Sequence, residues 1–202
     1  MALTFDGCGG PGGSGVDEAL LGLLERERLP ATVFLNRRWI DVNPAAVARL
    51  VENPLWELAN HGTTHRPLSV TGRSAYGITG TGSVAQVIDE VWDNHLRVQE
   101  LTGIPPRWFR PGTAHTDEVA AAIVTDLGEQ VVGFTVNADR GATAPANGVC
   151  AALLGAPAGA IVLAHLNHPG SGTAAGFAAA LPQLRAAGVE FVTLTGGGAL
   201  IP

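Results

Sequence analysis

Short runs rich in β-branched and aromatic residues alternate with amphipathic stretches of helix length along this chain. Alternation of this kind is typical of βα units, because two parallel strands need a crossover connection, usually a helix, before they can pair. The pattern predicts an α/β fold, a distorted or incomplete (β/α) barrel of about seven strands. The predicted strands span 2–5, 32–35, 56–59, 108–109, 131–136, 160–163 and 191–194. The predicted helices span 17–28, 44–52, 83–102, 116–127, 146–154 and 174–187.

Polar residues follow several of these apolar runs at the point where each run ends. Asp6 ends the first run, His61 and His65 follow the third, Arg110 follows the fourth, and His165 ends the sixth. The carboxyl ends of parallel strands meet at one mouth of an α/β fold, where such folds place their chemistry. An acid, an arginine and several histidines at one mouth indicate a hydrolase.

Composition limits what this mouth can do. The 202 residues, 46% of them hydrophobic, are enough for one sizeable core, so we expect residues 1–202 to form a single catalytic domain. The twelve basic residues are all arginines, which excludes a Schiff-base lysine and a P-loop lysine. A net charge of −6 with scattered arginines argues against nucleic acid as a partner. The apolar runs are too short for a membrane span.

The start of the chain and its cysteines bear on the compartment. The first predicted strand begins almost at Met1 and no export signal precedes it, so we expect an upstream segment to be missing from this sequence. Two cysteines are too few for a disulfide framework. Cys150 lies in an apolar helical segment and is expected in the core. Cys8 follows Asp6 by two residues, and a buried thiol, a nucleophile and a soft metal ligand all remain open for it.

The histidines His61 and His65 are spaced i, i+4, so on a helical turn both imidazoles would project from one face and meet one metal ion. The alternative is a pair of surface histidines on a loop. Asp6 is costly at the end of a buried strand unless it is paired or functional, so it is either a base or a cap for loop amides. Arg110 would orient Asp6 or form a structural ion pair. His165 would be a proton donor or a core histidine.

Two loops rich in small residues, 9–15 and 71–82, follow Asp6 and the histidine pair. We expect both to form rims of the active site. Among the aromatic residues, Trp39 is the best candidate for stacking on a sugar, with core packing as its alternative.

The motifs Thr4-Phe5-Asp6, His61-Gly62-Thr63-Thr64-His65, Phe109-Arg110-Pro111 and Leu163-Ala164-His165, in this order, resemble those of the NodB-like polysaccharide deacetylases, carbohydrate esterase family 4. The resemblance covers nearly the whole chain. It implies a distorted (β/α) barrel that uses a divalent metal ion, usually zinc, to hydrolyse N-acetyl groups of amino sugars. It also implies an extracellular or cell-envelope protein.

The resemblance also assigns roles to individual residues. Asp6 would be the base, His61 and His65 metal ligands, Arg110 the residue that orients the base, and His165 the acid. Asp139 falls near a further motif of the family and would tune His165.

The first motif departs from the family pattern, in which two adjacent aspartates stand and the second ligates the metal. In this chain Gly7 stands at the position of the second aspartate. Asp6, Cys8, Asp139, His115 and water are the candidates for completing the shell, and the sequence does not choose among them.

Three functions are therefore open. The first is a metal-dependent N-deacetylase acting on a carbohydrate or small amide substrate. The second is a metal-independent hydrolase of another C–N bond, such as that of a cyclic ureide or imide. The third is a non-catalytic carbohydrate-binding module. Retention of Asp6, Arg110 and His165 together favours an enzyme.

Overall fold

The computed structural model describes residues 1–197 of the chain. Within them the protein forms seven strands: β1 (Ala2–Gly7), β2 (Ala31–Leu35), β3 (Trp56–Asn60), β4 (Trp108–Phe109), β5 (Gln130–Val131), β6 (Val136–Asn137) and β7 (Ile161–His165). The helices are α1 (Glu18–Arg26), α2 (Arg37–Val42), α3 (Pro44–Glu52), α4 (Val84–Thr102), α5 (Glu118–Asp126), α6 (Ala146–Leu154) and α7 (Thr173–Ala186). A short 3₁₀ turn spans Gly112–Ala114.

All strand pairings in the sheet are parallel, and the spatial order is β5-β4-β3-β2-β1-β7-β6. The sheet curls strongly. β4 and β1 are three strands apart, which is about 14 Å in a flat sheet, yet the side chain of Arg110, next to β4, bonds Thr4 and Asp6 of β1. The result is an incomplete, distorted (β/α) barrel, as the alternation predicts.

The two faces of β1 show how the curl divides the molecule. Leu3 and Phe5 belong to the large core between sheet and helices, and the Phe5 ring lies 5.3 Å from that of Phe177 on α7. Thr4 and Asp6 point to the inner face of the curl, where Arg110 lies. A period of two along the strand therefore separates packing residues from residues of the site.

Two predicted strands differ from those observed. The run 131–136 is not one strand: it includes the last residue of β5 and the first residue of β6, which lie at opposite edges of the sheet. Between them the carbonyl oxygens of Val132 and Gly133 accept from Arg110. The run 191–194 makes only an isolated bridge between Val192 and Ala2. Helix α2 was not predicted; the Asn36 side chain caps it by accepting a hydrogen bond from the amide of Arg38.

Over residues 1–197, helices of the length and apolarity that a bilayer crossing demands are absent.

Candidate active site

The carboxylate of Asp6 is held by a fully buried arginine. Arg110 Nη1 donates to Asp6 Oδ1 at 2.8 Å and to the Thr4 hydroxyl at 2.9 Å, while Nη2 and Nε donate to the carbonyl oxygens of Gly133 and Val132. Burial alone would raise the pKa of Asp6, but the Arg110 charge, helped by two nearby histidines, outweighs it and lowers that pKa. Asp6 is therefore an ionised carboxylate with one oxygen still available.

His61 follows β3 and presents a defined nitrogen to the site. Its Nδ1 lies 2.7 Å from the carbonyl oxygen of Arg110, which can only accept, so Nδ1 carries the hydrogen. In the neutral ring the other nitrogen, Nε2, is free of hydrogen, and it lies 3.6 Å from Asp6 Oδ2. Burial would lower the pKa of His61, but Asp6 and Cys8 outweigh burial and raise that pKa. A hydrogen bond from the distal nitrogen to a carbonyl is the usual arrangement behind a metal-ligating histidine.

His65 faces His61 from a loop with an unusual backbone. The two rings meet edge to face with centroids 4.8 Å apart, and His65 has a positive φ of 62°. The carboxylate of Glu90, on α4, holds this loop by accepting from the Thr64 amide at 3.0 Å, its hydroxyl at 2.5 Å and the Arg66 amide at 3.2 Å. At Gly112 a Cβ would lie 2.3 Å from the His65 carbonyl carbon, so only glycine fits there. Packing thus fixes His65 in a strained conformation.

Cys8 lies beside the two histidines. Its Sγ is 3.6 Å from His61 Nε2, and the ligand atoms of Cys8, His61 and His65 all lie within 4.8 Å of one another. Burial would raise the pKa of the Cys8 thiol, but the neighbouring imidazoles of His165, His61 and His65 outweigh burial and hold the pKa well below its ordinary value. Three donor atoms of types that bind divalent metals therefore converge at one point.

His165, the last residue of β7, stands opposite this cluster with its own carboxylate partner. Its Nδ1 lies 2.9 Å from Asp139 Oδ1, and its backbone amide donates to Asp139 Oδ2 at 2.7 Å. Thr173, at the start of α7, donates to the same Oδ2 at 3.0 Å. Burial lowers the pKa of His165, but Asp139 and Cys8 outweigh that effect and leave the pKa well above its ordinary value. His165 is thus suited to carry a proton at neutral pH.

These groups open into a cavity of about 420 Å³. Its wall includes Asp6, Cys8, His61, His65 and His165 together with residues of the surrounding loops, among them Tyr76, Thr113, Phe134, Asn137 and Arg140. The five residues expected at the mouth, and Asp139 with them, therefore lie at or directly behind one cavity, with Arg110 and Asp139 buried behind Asp6 and His165.

The aromatic residue at the rim is not the expected one. Trp39 is fully buried and donates its indole hydrogen to the Gly15 carbonyl at 2.8 Å, so it belongs to the core and pins the 9–15 loop. Tyr76, in the 71–82 loop, is 83% exposed and lines the cavity, with its ring edge to face against His115. The 71–82 loop thus forms a rim.

His115 and Cys150 lie outside the cluster that Cys8, His61 and His65 form. His115 is exposed, and its Nδ1 lies 2.6 Å from the Thr113 carbonyl oxygen. Cys150 is half-buried and packs against the main core, as its apolar segment predicts.

Sequence reasoning missed Glu90, and Asn94 one turn further along α4. Asn94 is buried and donates to the Leu35 carbonyl and to Asn60 Oδ1, directly before His61. The signal is present in the helix, because Glu90 and Asn94 share the apolar stripe of Val87, Val91 and Val98. Polar residues on a buried stripe need partners inside the protein.

An acid–arginine pair, a histidine pair and an acid-backed histidine thus lie together at the carboxyl edge of a curled parallel sheet, which places the protein in the α/β class. The family model for polysaccharide deacetylase matches residues 1–132, more than half of the chain. The protein belongs to the polysaccharide deacetylase family.

Several known proteins resemble the chain. An uncharacterised Bacillus subtilis protein, YlxY, is 24% identical over 179 residues, which is 88% of this chain and 51% of the relative. A pseudoenzyme of carbohydrate esterase family 4 from Bacillus anthracis superposes with a TM-score of 0.77 at 22% identity over 96% of this chain and 63% of its own. A family 4 acetyl xylan esterase from Clostridium thermocellum, in complex with cobalt, superposes with a TM-score of 0.78 at 26% identity over 100% of this chain and 92% of its own. The chain thus spans about half the length of the curated relative and about two thirds of the pseudoenzyme.

Proposed function

We propose that the protein is a metal-dependent hydrolase that removes N-acetyl groups from an amino-sugar oligo- or polysaccharide. One observation carries the proposal: Asp6, held by Arg110, and His165, held by Asp139, face one cavity together with the imidazoles of His61 and His65. Hydrolysis of an amide needs both a base and an acid, and it needs a charge to stabilise the oxyanion.

The residues present fit a divalent cation. The Arg110 carbonyl accepts from His61 Nδ1, so the neutral ring offers Nε2 as a ligand, and the second imidazole lies against it in a fixed loop. Zinc is the ion we propose, with His61 and His65 as ligands, because imidazole nitrogen suits it. When bound, such an ion polarises a carbonyl and lowers the pKa of a water molecule. The cobalt held by the acetyl xylan esterase supports this fit.

The protein's own residues then divide the proton transfers. Asp6 takes a proton from the attacking water through its free oxygen, Oδ2. Arg110 holds Oδ1 and keeps the carboxylate ionised and correctly oriented. His165 donates a proton to the leaving amine nitrogen, while Asp139 fixes the ring by accepting from Nδ1, which leaves Nε2 directed to the substrate.

A second candidate function is favoured by the surroundings of Cys8. A thiol next to a histidine that is backed by an aspartate is the arrangement of a cysteine nucleophile, general base and orienting acid. Such a site would hydrolyse an amide or cyclic imide without metal. The likeness to a pseudoenzyme makes a non-catalytic module the third outcome of the test.

Acetate release from N-acetylated chito-oligosaccharides tests the proposal. We expect turnover by the zinc-loaded wild type and loss of at least about 100-fold, the usual contribution of a general base, in Asp6→Asn. His61→Ala should lose both zinc and turnover. His168→Ala, on a loop outside the cavity, is the matched histidine control and should behave as wild type. Full activity of His61→Ala would refute the metal-dependent reaction.

A further inference from the structure

The proposed metal-dependent reaction leaves Cys8 without a role, although this residue lies within the site. The residue directly follows β1, and its Sγ is 3.6 Å from the Nε2 atom of His61. Two imidazoles and one sulfur atom lie within 4.8 Å of one another. A divalent ion held by two imidazoles alone needs at least one further protein ligand to reach the three that catalytic zinc sites have.

The alternation of side chains at positions 6–8 explains why residue 8, and not residue 7, supplies the further ligand. A Cβ at Gly7 would lie 3.2 Å from Leu35 and 3.3 Å from Trp39, on the helix side of the sheet. Asp6 and Cys8, one position to either side, both line the cavity. Alternation along the strand therefore directs residues 6 and 8 into the site and residue 7 away from it.

We propose that Cys8 is the third protein ligand, bound as a thiolate, so that the centre is a Cys-His-His site for a thiophilic divalent ion. This inference rests on the proposed function for the presence of an ion. The spacing agrees with it. In a tetrahedral site with zinc–sulfur and zinc–nitrogen distances of about 2.3 and 2.05 Å, sulfur and nitrogen lie about 3.6 Å apart. Sγ and Nε2 have that separation.

The other candidate ligands have competing partners. Asp139 uses both carboxylate oxygens to hold His165 and Thr173. His115 is exposed at the rim and bonded through Nδ1 to Thr113. Asp6 has a free oxygen, but a carboxylate bound to the ion would be a poorer base for the reaction. Cys8 can therefore complete the metal centre while Asp139 keeps its hydrogen bonds and Asp6 remains the base.

A thiolate ligand changes which ions the centre prefers. Sulfur ligands select zinc, cobalt and cadmium, whereas carboxylate and water ligands suit magnesium, calcium and manganese. We therefore expect zinc to bind far more tightly than manganese or magnesium. Cys8→Asp should reduce the preference for zinc over manganese and magnesium, because it replaces the sulfur ligand by a carboxylate oxygen at the same position of the chain.

Cobalt spectroscopy tests the ligand directly. Chelator-stripped wild type, Cys8→Ser and Cys150→Ser are each titrated with Co²⁺, and the thiolate-to-cobalt charge-transfer band is followed in the near ultraviolet. We expect the band, saturating at one equivalent, in wild type and Cys150→Ser, and its loss in Cys8→Ser. Zinc affinity, measured by chelator competition, should fall at least about 10-fold in Cys8→Ser only. Cobalt bound without the band, or a band that persists in Cys8→Ser, would overturn the assignment.

Acetate release measured on the same samples separates this inference from the proposed function. Zinc-dependent release without a thiolate band keeps the deacetylase and overturns the ligand. A thiolate band without acetate release supports the ligand and refutes the deacetylase. Metal-free turnover that is lost on alkylation of Cys8 overturns both, since Cys8 then acts as a nucleophile beside His165.

Discussion

Replacing Arg110 by methionine should cost more stability than any other arginine substitution at the site. The change removes hydrogen bonds to Asp6, Thr4 and two carbonyl oxygens, and it leaves the Asp6 carboxylate, only 4% exposed, without its cation. Removing one partner of a buried ion pair costs about 3–5 kcal/mol. Domains of this size are stable by only about 5–15 kcal/mol, so the loss is a large fraction of the total.

Urea unfolding followed by circular dichroism, in the presence of chelator, measures this loss without a contribution from bound metal. We expect a reduction of about 3–5 kcal/mol in the free energy of unfolding for Arg110→Met. Arg107→Met is the matched control, because Arg107 is exposed and its cation packs over the Trp108 ring at 4.9 Å. This control should lose at most about 1 kcal/mol.

A double-mutant cycle tests the cause. Asp6→Asn combined with Arg110→Met removes both charges, so the double variant should be more stable than the sum of single losses predicts, with a coupling of about 2 kcal/mol. It also keeps the test decisive if Arg110→Met alone does not fold. Equal unfolding midpoints for Arg110→Met and Arg107→Met, or a coupling near zero, would refute the reasoning that Arg110 stabilises a buried Asp6 carboxylate.

Three further predictions concern groups around the site. Glu90→Ala should lower zinc affinity about 10–100-fold, because the loop that carries His65 loses its acceptors; chelator competition measures this. Tyr76→Ala should raise KM about fivefold with kcat unchanged, because the exposed ring supplies about 1 kcal/mol of substrate stacking. Glu129 accepts a hydrogen bond from His95, and burial raises the pKa of the Glu129 carboxyl. The contribution of Glu129 to stability is therefore full below its unfolded pKa of about 4.5 and is lost as the pH rises through the folded pKa. Glu129→Gln should therefore gain stability relative to wild type with rising pH.

Each of these predictions has its control. Glu90→Gln keeps acceptor oxygen and should lose less zinc affinity than Glu90→Ala; equal losses would contradict the role of the carboxylate. Tyr76→Phe keeps the ring and should keep KM, and a fall in kcat in either Tyr76 variant would contradict pure binding. A stability difference between Glu129→Gln and wild type that does not change with pH would contradict a raised pKa for Glu129.

The placement of the site was predictable because parallel strands deliver their carboxyl ends to one edge. Asp6 and His165 occupy partner positions on adjacent strands, so two short motifs far apart in sequence meet. His61 follows β3, which is separated from β1 by β2 alone, and its ring lines the same cavity. The side chains lie together because the strands are parallel and adjacent, a topology that the alternation of strands and helices predicts.

The parts that were not predictable depend on contacts between distant loops. The 131–136 run is split because β5 and β6 lie at opposite edges of the sheet, and the carbonyl oxygens between them accept from Arg110, contacts that no local propensity encodes. Trp39 packs in the main core, and the 9–15 loop accepts its buried indole hydrogen. Glu90 holds a loop that precedes it by some 25 residues. Tertiary contacts of this kind override local pattern.

Reconstitution with zinc tests the central claim most directly. Acetate release from an N-acetylated chito-oligosaccharide is measured while chelator-stripped wild-type protein is titrated with zinc. The account predicts no turnover without metal, and a rate of acetate release that rises linearly with added zinc up to one equivalent. Turnover that is equal before and after stripping, or no turnover at any zinc level, would contradict a metal-dependent deacetylase.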